Sequence, residues 1–454
     1  YPPDYAMRGV RSRLDWSSWP GEGGGLQGAV EMCNNNGACR KLAGGVMCPS
    51  YRVTREERDS TRGRANSLRL ALSGQLGSGA LVSDSMAETM KLCVSCKGCR
   101  RECPTGVDMA RMKVEVLAAR AATHGHSLHD RLVGHLPRYA PALAQVPWLA
   151  NLRNAVPLLA RLAERPSGLT AERPLPRWRA DAFRERDTVG SGAREAVLFA
   201  DTFDTWFEPE NLRAARRVLL AAGYRVHVAH APGERDLCCG RTYLATGMIE
   251  RARGEARRTL AALLPWARRG VPIVGLEPSC LLTLRDEFLS LLPGEEARLV
   301  AEHALLLEEL LARDAEAGRL DWRLGSPAER LLVHGHCHQK SFGAMGAVQR
   351  TLALLPDTVV ETVETSCCGM AGAFGYGRDT YRVSARMAEL DLLPAVRAAD
   401  ESTLVVADGT SCRHQIDDLG GRAALHVVRV LDAALAAAPT PVRSSTSTSA
   451  RTLS

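Results

Sequence analysis

Residues 92–113, LCVSCKGCRRECPTGVDMARMK, set four cysteines at Cys93, Cys96, Cys99 and Cys103, with Pro104 behind the last. Three thiolates at two-residue gaps can wrap three corners of one iron-sulfur cubane, while the fourth, turned away ahead of a proline, reaches a second cluster. Zinc is the competing reading. Zinc sites commonly pair one CxxC with a second, distant pair, however, and here all four cysteines stand in a single run.

Upstream stands a degraded copy, Cys33-x5-Cys39-x8-Cys48-Pro49. Aligned with the first run, Cys33 and Cys39 take the first and third positions, Asn36 the second, and Cys48-Pro49 the crossing place. Crosswise ligation then assigns Cys48, Cys93, Cys96 and Cys99 to a complete 4Fe-4S cluster. Cys33, Cys39 and Cys103 form a second set, one thiolate short. That set favours a 3Fe-4S cluster, or a 4Fe-4S cluster completed by Asn36 or water, with an empty site as the alternative. The insertion at residues 40–47 departs from the usual three-residue gap.

Thr54-x-x-Glu57 reads as a capping box opening a helix through residue 72. Residues 107–122 read as another helix, with Met109, Met112, Val116 and Leu117 on one face as core packing. Helices flanking both cysteine runs predict an all-α helical ferredoxin domain over residues 31–125.

The rest of the chain sets bounds on this reading. It has 454 residues, 58 Lys+Arg against 51 Asp+Glu, a net charge of +7 and 45% hydrophobic residues. Those fractions exclude collagen, global disorder and a polytopic membrane protein. The arginines are scattered, so no nucleic-acid partner is expected. Seven of the 14 cysteines fall between Cys33 and Cys103, and the others cluster from Cys238 to Cys412. With no secretory signal in view, this is metal or redox usage in a reducing, cytoplasmic compartment.

No run is apolar enough for a transmembrane segment. Residues 135–162 come nearest, but Pro137, Pro141, Pro147 and Pro157 interrupt them and Arg138, Arg153 and Arg161 charge them. They read as short helices packed on a protein surface, within a helical connector over 126–190. Peripheral contact at the inner face of a membrane is the alternative. Residues 1–30, including the glycine run at 21–25, read as a linker, so the chain is expected to be the carboxyl part of something longer, with Met7 as a native start the alternative. Residues 438–454 read as a disordered tail.

From residue 195 short branched apolar runs alternate with helical stretches, the mark of parallel sheets. Strands are expected at 195–200, 225–230, 271–276, 330–335, 358–364, 402–407 and 424–429, with helices at 211–222, 248–264 and 379–399. The series repeats. Cys238-Cys239-Gly240 recurs as Cys367-Cys368-Gly369, and Cys280 recurs as Cys412, at offsets of 129 and 132 residues. Two α/β units, 191–325 and 326–437, therefore share one plan. Cys337 follows the first strand of the second unit, where the first unit has Thr202.

In open parallel sheets, sites form outside the carboxyl ends of strands, where all these cysteines fall. The second unit can gather Cys337, Cys367, Cys368 and Cys412, and the first Cys238, Cys239 and Cys280. Either group could hold a further cluster, zinc or nothing, and His336 and His338 could supply nitrogen to zinc. Gly240 and Gly369 are expected to let the backbone approach a bound group.

These motifs resemble a helical ferredoxin domain followed by two cysteine-rich CCG domains, an α+β multidomain arrangement. It occurs in heterodisulfide reductase, with the ferredoxin part on a partner of the CCG subunit, in the glycolate oxidase iron-sulfur subunit and in one subunit of anaerobic glycerol-3-phosphate dehydrogenase. EMCNNNGACRKL at 31–42, GVMCPSYRVTREERDSTRGRAN at 45–66 and residues 92–113 look like the carboxyl part of fused FAD-linked oxidases resembling D-2-hydroxyglutarate and D-lactate dehydrogenases.

The resemblance implies an electron-transfer module with FAD on a domain or subunit outside these residues, and a quinone, cytochrome or electron-transfer flavoprotein as acceptor. Full CCG motifs end in CxxC, whereas Glu277 and Gly409 stand three residues before Cys280 and Cys412. Those departures, with Thr202, weaken disulfide catalysis at the CCG crevice as the function. A docking module with a structural metal remains a third reading. No dinucleotide-binding fingerprint appears, and no residue is identified as catalytic.

Overall fold

The computed structural model describes residues 11–19, 24–231 and 235–437. The expected disordered tail at 438–454, Met7 and most of the glycine run at 21–25 lie outside it.

The cysteine-rich amino-terminal part is helical: α1 (Leu26–Glu31), α2 (Pro49–Thr54), α3 (Thr61–Leu72), α4 (Asp84–Lys91), α5 (Gly98–Glu102) and α6 (Met109–His124). The expected capping box does not form. Pro49 suits the first turn of a helix, so α2 starts there and Thr54 is its last residue; Arg55, at φ 61°, ends it. Ser60 caps α3 instead, its hydroxyl accepting from Gly63 N at 3.0 Å. On the expected face of α6, Met109, Met112 and Val116 are buried, while Leu117 is only half-buried.

Part of the stretch read as linker is packed rather than loose. The buried carboxylate of Glu115 on α6 accepts from Arg13 N, Leu14 N and Trp16 Nε1 at 2.8–2.9 Å. Leu14 and Trp16 are buried, and the Arg111 guanidinium lies 5.3 Å over the Trp16 ring. The proline-rich region that follows α6 forms five short helices, Leu128–Gly134, Leu136–Leu143, Pro147–Ala150, Leu152–Ala155 and Pro157–Ser167. Among the described residues no helix is long and apolar enough to cross a membrane.

Eight strands follow: β1 (Arg194–Leu198), β2 (Tyr224–Val228), β3 (Ile273–Gly275), β4 (Ala304–Leu306), β5 (Arg330–Val333), β6 (Val359–Thr362), β7 (Leu404–Val406) and β8 (Ala424–Leu425). They form two parallel sheets of identical plan, ordered β2-β1-β3-β4 and β6-β5-β7-β8. The internal repeat is thus a repeat of structure. β4 was not expected, because HALLL lies between the helices Glu295–His303 and Leu307–Glu316 and the whole run keeps a helical period. The expected last strand shrinks to two residues, after which His426 caps the helix Val427–Ala436 through Val428 N at 3.0 Å. The helix expected at 379–399 is broken at Leu390 and Asp391 into Tyr381–Glu389 and Leu392–Ala398.

Three hydrophobic interiors tie these parts together. The helical part and the first sheet share one, in which Leu68 and Met112 belong with Val197, Phe199 and Tyr243. The two sheets share another, through Leu212, Val218, Val427 and Leu431. In the third, Val46 and Cys96 from the helical part join Cys337, Cys367, Cys368 and Cys412. Val46 sits in the insertion between Cys39 and Cys48, which Glu102 of α5 holds by accepting from Val46 N and Met47 N at 2.5 and 3.0 Å. The departure from the usual spacing therefore forms a tongue wedged between the helical part and the second sheet.

Candidate functional site

All fourteen cysteines are free, and all but Cys93 are buried. Cys48, Cys93, Cys96 and Cys99 line one pocket, together with Thr61, Arg64, Lys97 and Met109. The loop reaches this geometry through left-handed backbone at two non-glycine residues, Ser95 (φ 51°) and Lys97 (φ 61°), with Cys48 at φ 50° opposite. Such conformations persist only where the surroundings over-determine them, and they gather at functional sites.

Main-chain amides point at the sulfurs. Thr61 N donates to Cys48 Sγ at 3.1 Å and Arg62 N to Cys39 Sγ at 3.4 Å, both from the first turn of α3, whose dipole favours negative charge there. Gly98 N serves Cys96, and Met109 N serves Cys99. Burial nevertheless pushes the Cys96 thiol well up and Cys99 to about 12. Their thiolates therefore need a positive partner, which a bound metal supplies.

Cations of the chain surround the same place. Arg64 is buried against Asp59 at 3.5 Å and favours the Cys48 thiolate. Lys113 donates to the Cys93 carbonyl. Lys97 is buried between Asp286 and Glu287 of the first α/β unit. Four sulfur donors converging on one cavity, with amides and cations aimed at them, fit a 4Fe-4S group.

The second set is also drawn together. Cys33 feels both Cys39 and Cys103 electrostatically, and Asn36 hydrogen-bonds to Cys103. Asn36 lies beside this set, with its Oδ1 accepting from Ala38 N at 2.9 Å and its Nδ2 donating to Asn34 Oδ1 at 2.5 Å. The Cys39 and Cys48 sulfurs interact, which lowers Cys39 to about 6 and raises Cys48. The two sets are therefore in contact.

In the second α/β unit the thiols form a chain. Cys337 and Cys367, and Cys367 and Cys368, influence each other electrostatically, and Cys368 Sγ lies 3.4 Å from Cys412 Sγ. The first unit repeats this with one substitution: the Thr202 hydroxyl bonds to Cys238 where a thiol stands in the second, and Cys238, Cys239 and Cys280 continue the chain. Thr202 and Cys337 each open the helix after the first strand of their unit, and Cys280 and Cys412 are each third in the helix after the third strand.

The glycines work differently from expectation. Their positive φ, 79° at Gly240 and 83° at Gly369, turns each amide onto the first sulfur of the pair, at 3.3 and 3.4 Å. What each approaches closely is a helix backbone. A Cβ at Gly240 would meet Ala252 O at 3.1 Å, and one at Gly369 would meet Ser384 O at 2.4 Å.

Each expected nitrogen donor is engaged through one ring nitrogen, and His338 Nδ1 is buried without a hydrogen-bond partner. His336 Nδ1 accepts from His338 N as a helix cap, and His338 Nε2 meets Ser95 O and Arg241 Nη2, both at 3.1 Å. The histidine on the thiols is His334, whose ring nitrogen lies within 4.8 Å of the sulfurs of Cys368 and Cys412. Its position directly after β5 was the available signal. Glu277 replaces a cysteine as a cap, accepting from Ser279 N at 3.1 Å and, across the two units, from Thr410 N at 2.8 Å.

The cysteine run at Cys93–Cys103 and the second α/β unit meet directly. Ser341 Oγ donates to Cys96 O at 2.9 Å, and the Cys96 and Cys337 thiolates oppose each other electrostatically. Three cysteine groups therefore adjoin in series, through Cys39 with Cys48 and then Cys96 with Cys337.

Comparison with known proteins agrees with this geometry. Residues 29–107, which hold all seven amino-terminal cysteines, match the 4Fe-4S dicluster domain. The chain is 25% identical to D-2-hydroxyglutarate dehydrogenase of Escherichia coli over 89% of its own length and 43% of that protein. It is 25% identical to the glycolate oxidase iron-sulfur subunit of Escherichia coli, covering 89% of the chain and 94% of that protein. It is 24% identical to a subunit of the anaerobic glycerol-3-phosphate dehydrogenase of Escherichia coli, covering 70% of the chain and 80% of that protein. The resemblance expected from the motifs is borne out, and the chain spans less than half the length of the D-2-hydroxyglutarate dehydrogenases it matches.

Proposed function

We propose that the chain is the iron-sulfur electron-transfer module of an FAD-linked D-2-hydroxy-acid dehydrogenase, of D-2-hydroxyglutarate or D-lactate type. The flavin and substrate lie on a domain or subunit outside these residues, and a quinone or other acceptor takes the electrons. The observation that carries this reading is the adjacency of the three cysteine groups: consecutive amides of Thr61 and Arg62 hold Cys48 and Cys39, and Cys96 shares an apolar interior with Cys337, Cys367, Cys368 and Cys412 while Ser341 donates to its carbonyl.

Bound iron-sulfur clusters would supply single-electron acceptance from a two-electron flavin donor. The chain's own contribution is to hold Cys48, Cys93, Cys96 and Cys99 around one cavity, and Cys33, Cys39 and Cys103 beside Asn36. Arg64, Lys97 and Lys113 lower the cost of negative charge there, one of the protein's means of setting potential. Burial of the α/β thiols speaks against reaction with a substrate disulfide, which needs an accessible thiolate. Trp148, Leu149, Leu158 and Leu162, exposed along the short helices, support contact with a membrane face or the flavin partner.

The test is iron and acid-labile sulfide analysis with low-temperature electron paramagnetic resonance on anaerobically purified protein, as isolated and after dithionite. The reading expects the signal of a reduced 4Fe-4S centre, joined by that of a second cluster. Addition of D-2-hydroxyglutarate or D-lactate to the protein with its flavin partner should develop the reduced signal. Zinc without sulfide would overturn it.

A further inference from the structure

His334 is a buried histidine with one ring nitrogen to spare. It follows β5 directly, and its amide donates to Val406 O on β7 at 2.8 Å, which fixes the residue at the carboxyl edge of the sheet. Nδ1 lies 3.0 Å from Thr365 Oγ1, and Lys340 Nζ donates to that same hydroxyl at 2.8 Å. Nε2 has no hydrogen-bond partner, although the residue is only 1% exposed. An unpaired buried polar atom carries its full desolvation cost, so such an atom calls for a partner. The ligand atoms of His334, Cys368 and Cys412 all lie within 4.8 Å of one another.

The hydroxyl of Thr365 accepts from the Lys340 ammonium and has a second lone pair for Nδ1–H. In that tautomer the lone pair of Nε2 is free. A histidine anchored through one nitrogen with the other left open is the usual state of a metal ligand. Lys340 also interacts with the Cys337, Cys412, Cys367 and Cys368 thiolates, so a buried cation already balances part of a thiolate group's charge.

The first α/β unit supplies the internal control. Phe199 follows β1 as His334 follows β5, and its amide likewise bonds to the third strand of its sheet, at Val274 O. Three residues on, the first unit has Thr202 and the second has Cys337. The two positions differ together: the unit that lacks the leading thiol also lacks the imidazole.

Resting on the reading of the second-unit cysteines as a metal-holding redox centre, we propose that His334 Nε2 is a ligand of that centre alongside Cys368 and Cys412. The centre is then a mixed nitrogen-sulfur site rather than an all-thiolate one. Replacing a thiolate by neutral imidazole removes one negative charge and raises the reduction potential, as in iron-sulfur centres with histidine ligands. That places the higher-potential, electron-accepting end of the series in the second unit, next to Cys96.

The experiment is X-ray absorption at the iron and zinc edges, with pulsed electron paramagnetic resonance, on the anaerobic full chain and on His334→Ala, His334→Gln, His336→Ala and Cys412→Ser. The wild type is expected to show nitrogen coordination that His336→Ala keeps and both His334 variants lose. Nitrogen at the iron edge identifies a cluster, and at the zinc edge a mononuclear site. If Cys412→Ser abolishes a centre whose wild-type spectrum contains no nitrogen, or whose nitrogen survives in His334→Ala, the ligation is overturned while the centre stands. If Cys412→Ser changes neither metal content nor any spectrum, the centre itself is absent, and the reading beneath the proposal fails.

Discussion

Ser341 donates its hydroxyl to the main-chain carbonyl of Cys96 at 2.9 Å, so a residue on the helix opened by Cys337 holds the loop that carries Cys96. The next contact along that loop is His338 Nε2 with Ser95 O at 3.1 Å. The loop conformation, left-handed at Ser95 and Lys97, is thereby fixed from the α/β side as well as from within.

Cys96→Ser should remove one cluster and spare the other. The expected loss is about four iron atoms per chain, with disappearance of the reduced 4Fe-4S resonance. Iron analysis of both proteins, prepared side by side without oxygen, checks this. Unchanged iron would mean that Cys96 is not a ligand.

Asp286 joins the helical part to the first α/β unit by accepting from Lys97, Arg100 and Arg111. Burial raises its carboxyl, but these cations outweigh burial and hold it well below the usual carboxylate range. Its stabilisation is therefore present above the unfolded value of about 4 and is lost as the pH falls through the lower folded value. Asp286→Asn leaves Lys97 with one partner, Glu287, and should cost about 3–5 kcal/mol, read from urea midpoints at neutral pH.

Glu308 has the opposite sign. It is fully buried, both carboxylate oxygens lack hydrogen-bond partners, and burial together with Asp408 raises it well above the usual range. Its contribution is complete below the unfolded value of about 4.3 and is lost as the pH rises through the folded value. Glu308→Gln should gain in unfolding free energy relative to the wild type as the pH is raised, by up to about 1.4 kcal/mol per pH unit, read from urea midpoints. A pH-independent difference would show that Glu308 does not titrate within the range scanned.

Gly369→Ala and Gly240→Ala should differ in cost. Both residues have left-handed φ, but the new methyl would meet Ser384 O at 2.4 Å in the first case and Ala252 O at 3.1 Å in the second. About 1 kcal/mol for Gly240→Ala and at least about 3 kcal/mol for Gly369→Ala are expected, from chemical denaturation.

The cysteine spacing made the convergence of Cys48 with Cys93, Cys96 and Cys99 legible, because a cluster demands thiolates at fixed short gaps. The α/β repeat was legible because its strands are short branched runs and its cysteines fall just after them. β4 was hidden because three residues between two amphipathic helices carry no period of their own. The site of α3 capping was misread because Thr54-x-x-Glu57 satisfies the local pattern, while Pro49 had already begun a helix six residues long. Val46 and Glu102 could not be recognised from spacing at all, and His334 only from its place directly after a strand. Their roles arise from contacts between segments far apart in the chain, or from which way a ring nitrogen faces.

The interiors shared by the helical part and the two sheets bear on kinetics. Parts joined by small polar interfaces move relative to one another by default, and transfer between their centres must wait for an encounter. Here Val46 and Cys96 are embedded in the same apolar interior as Cys337 and Cys412, which leaves no hinge between these two cysteine groups. Electron passage through this chain needs no gating motion, and its rate should be indifferent to solvent viscosity.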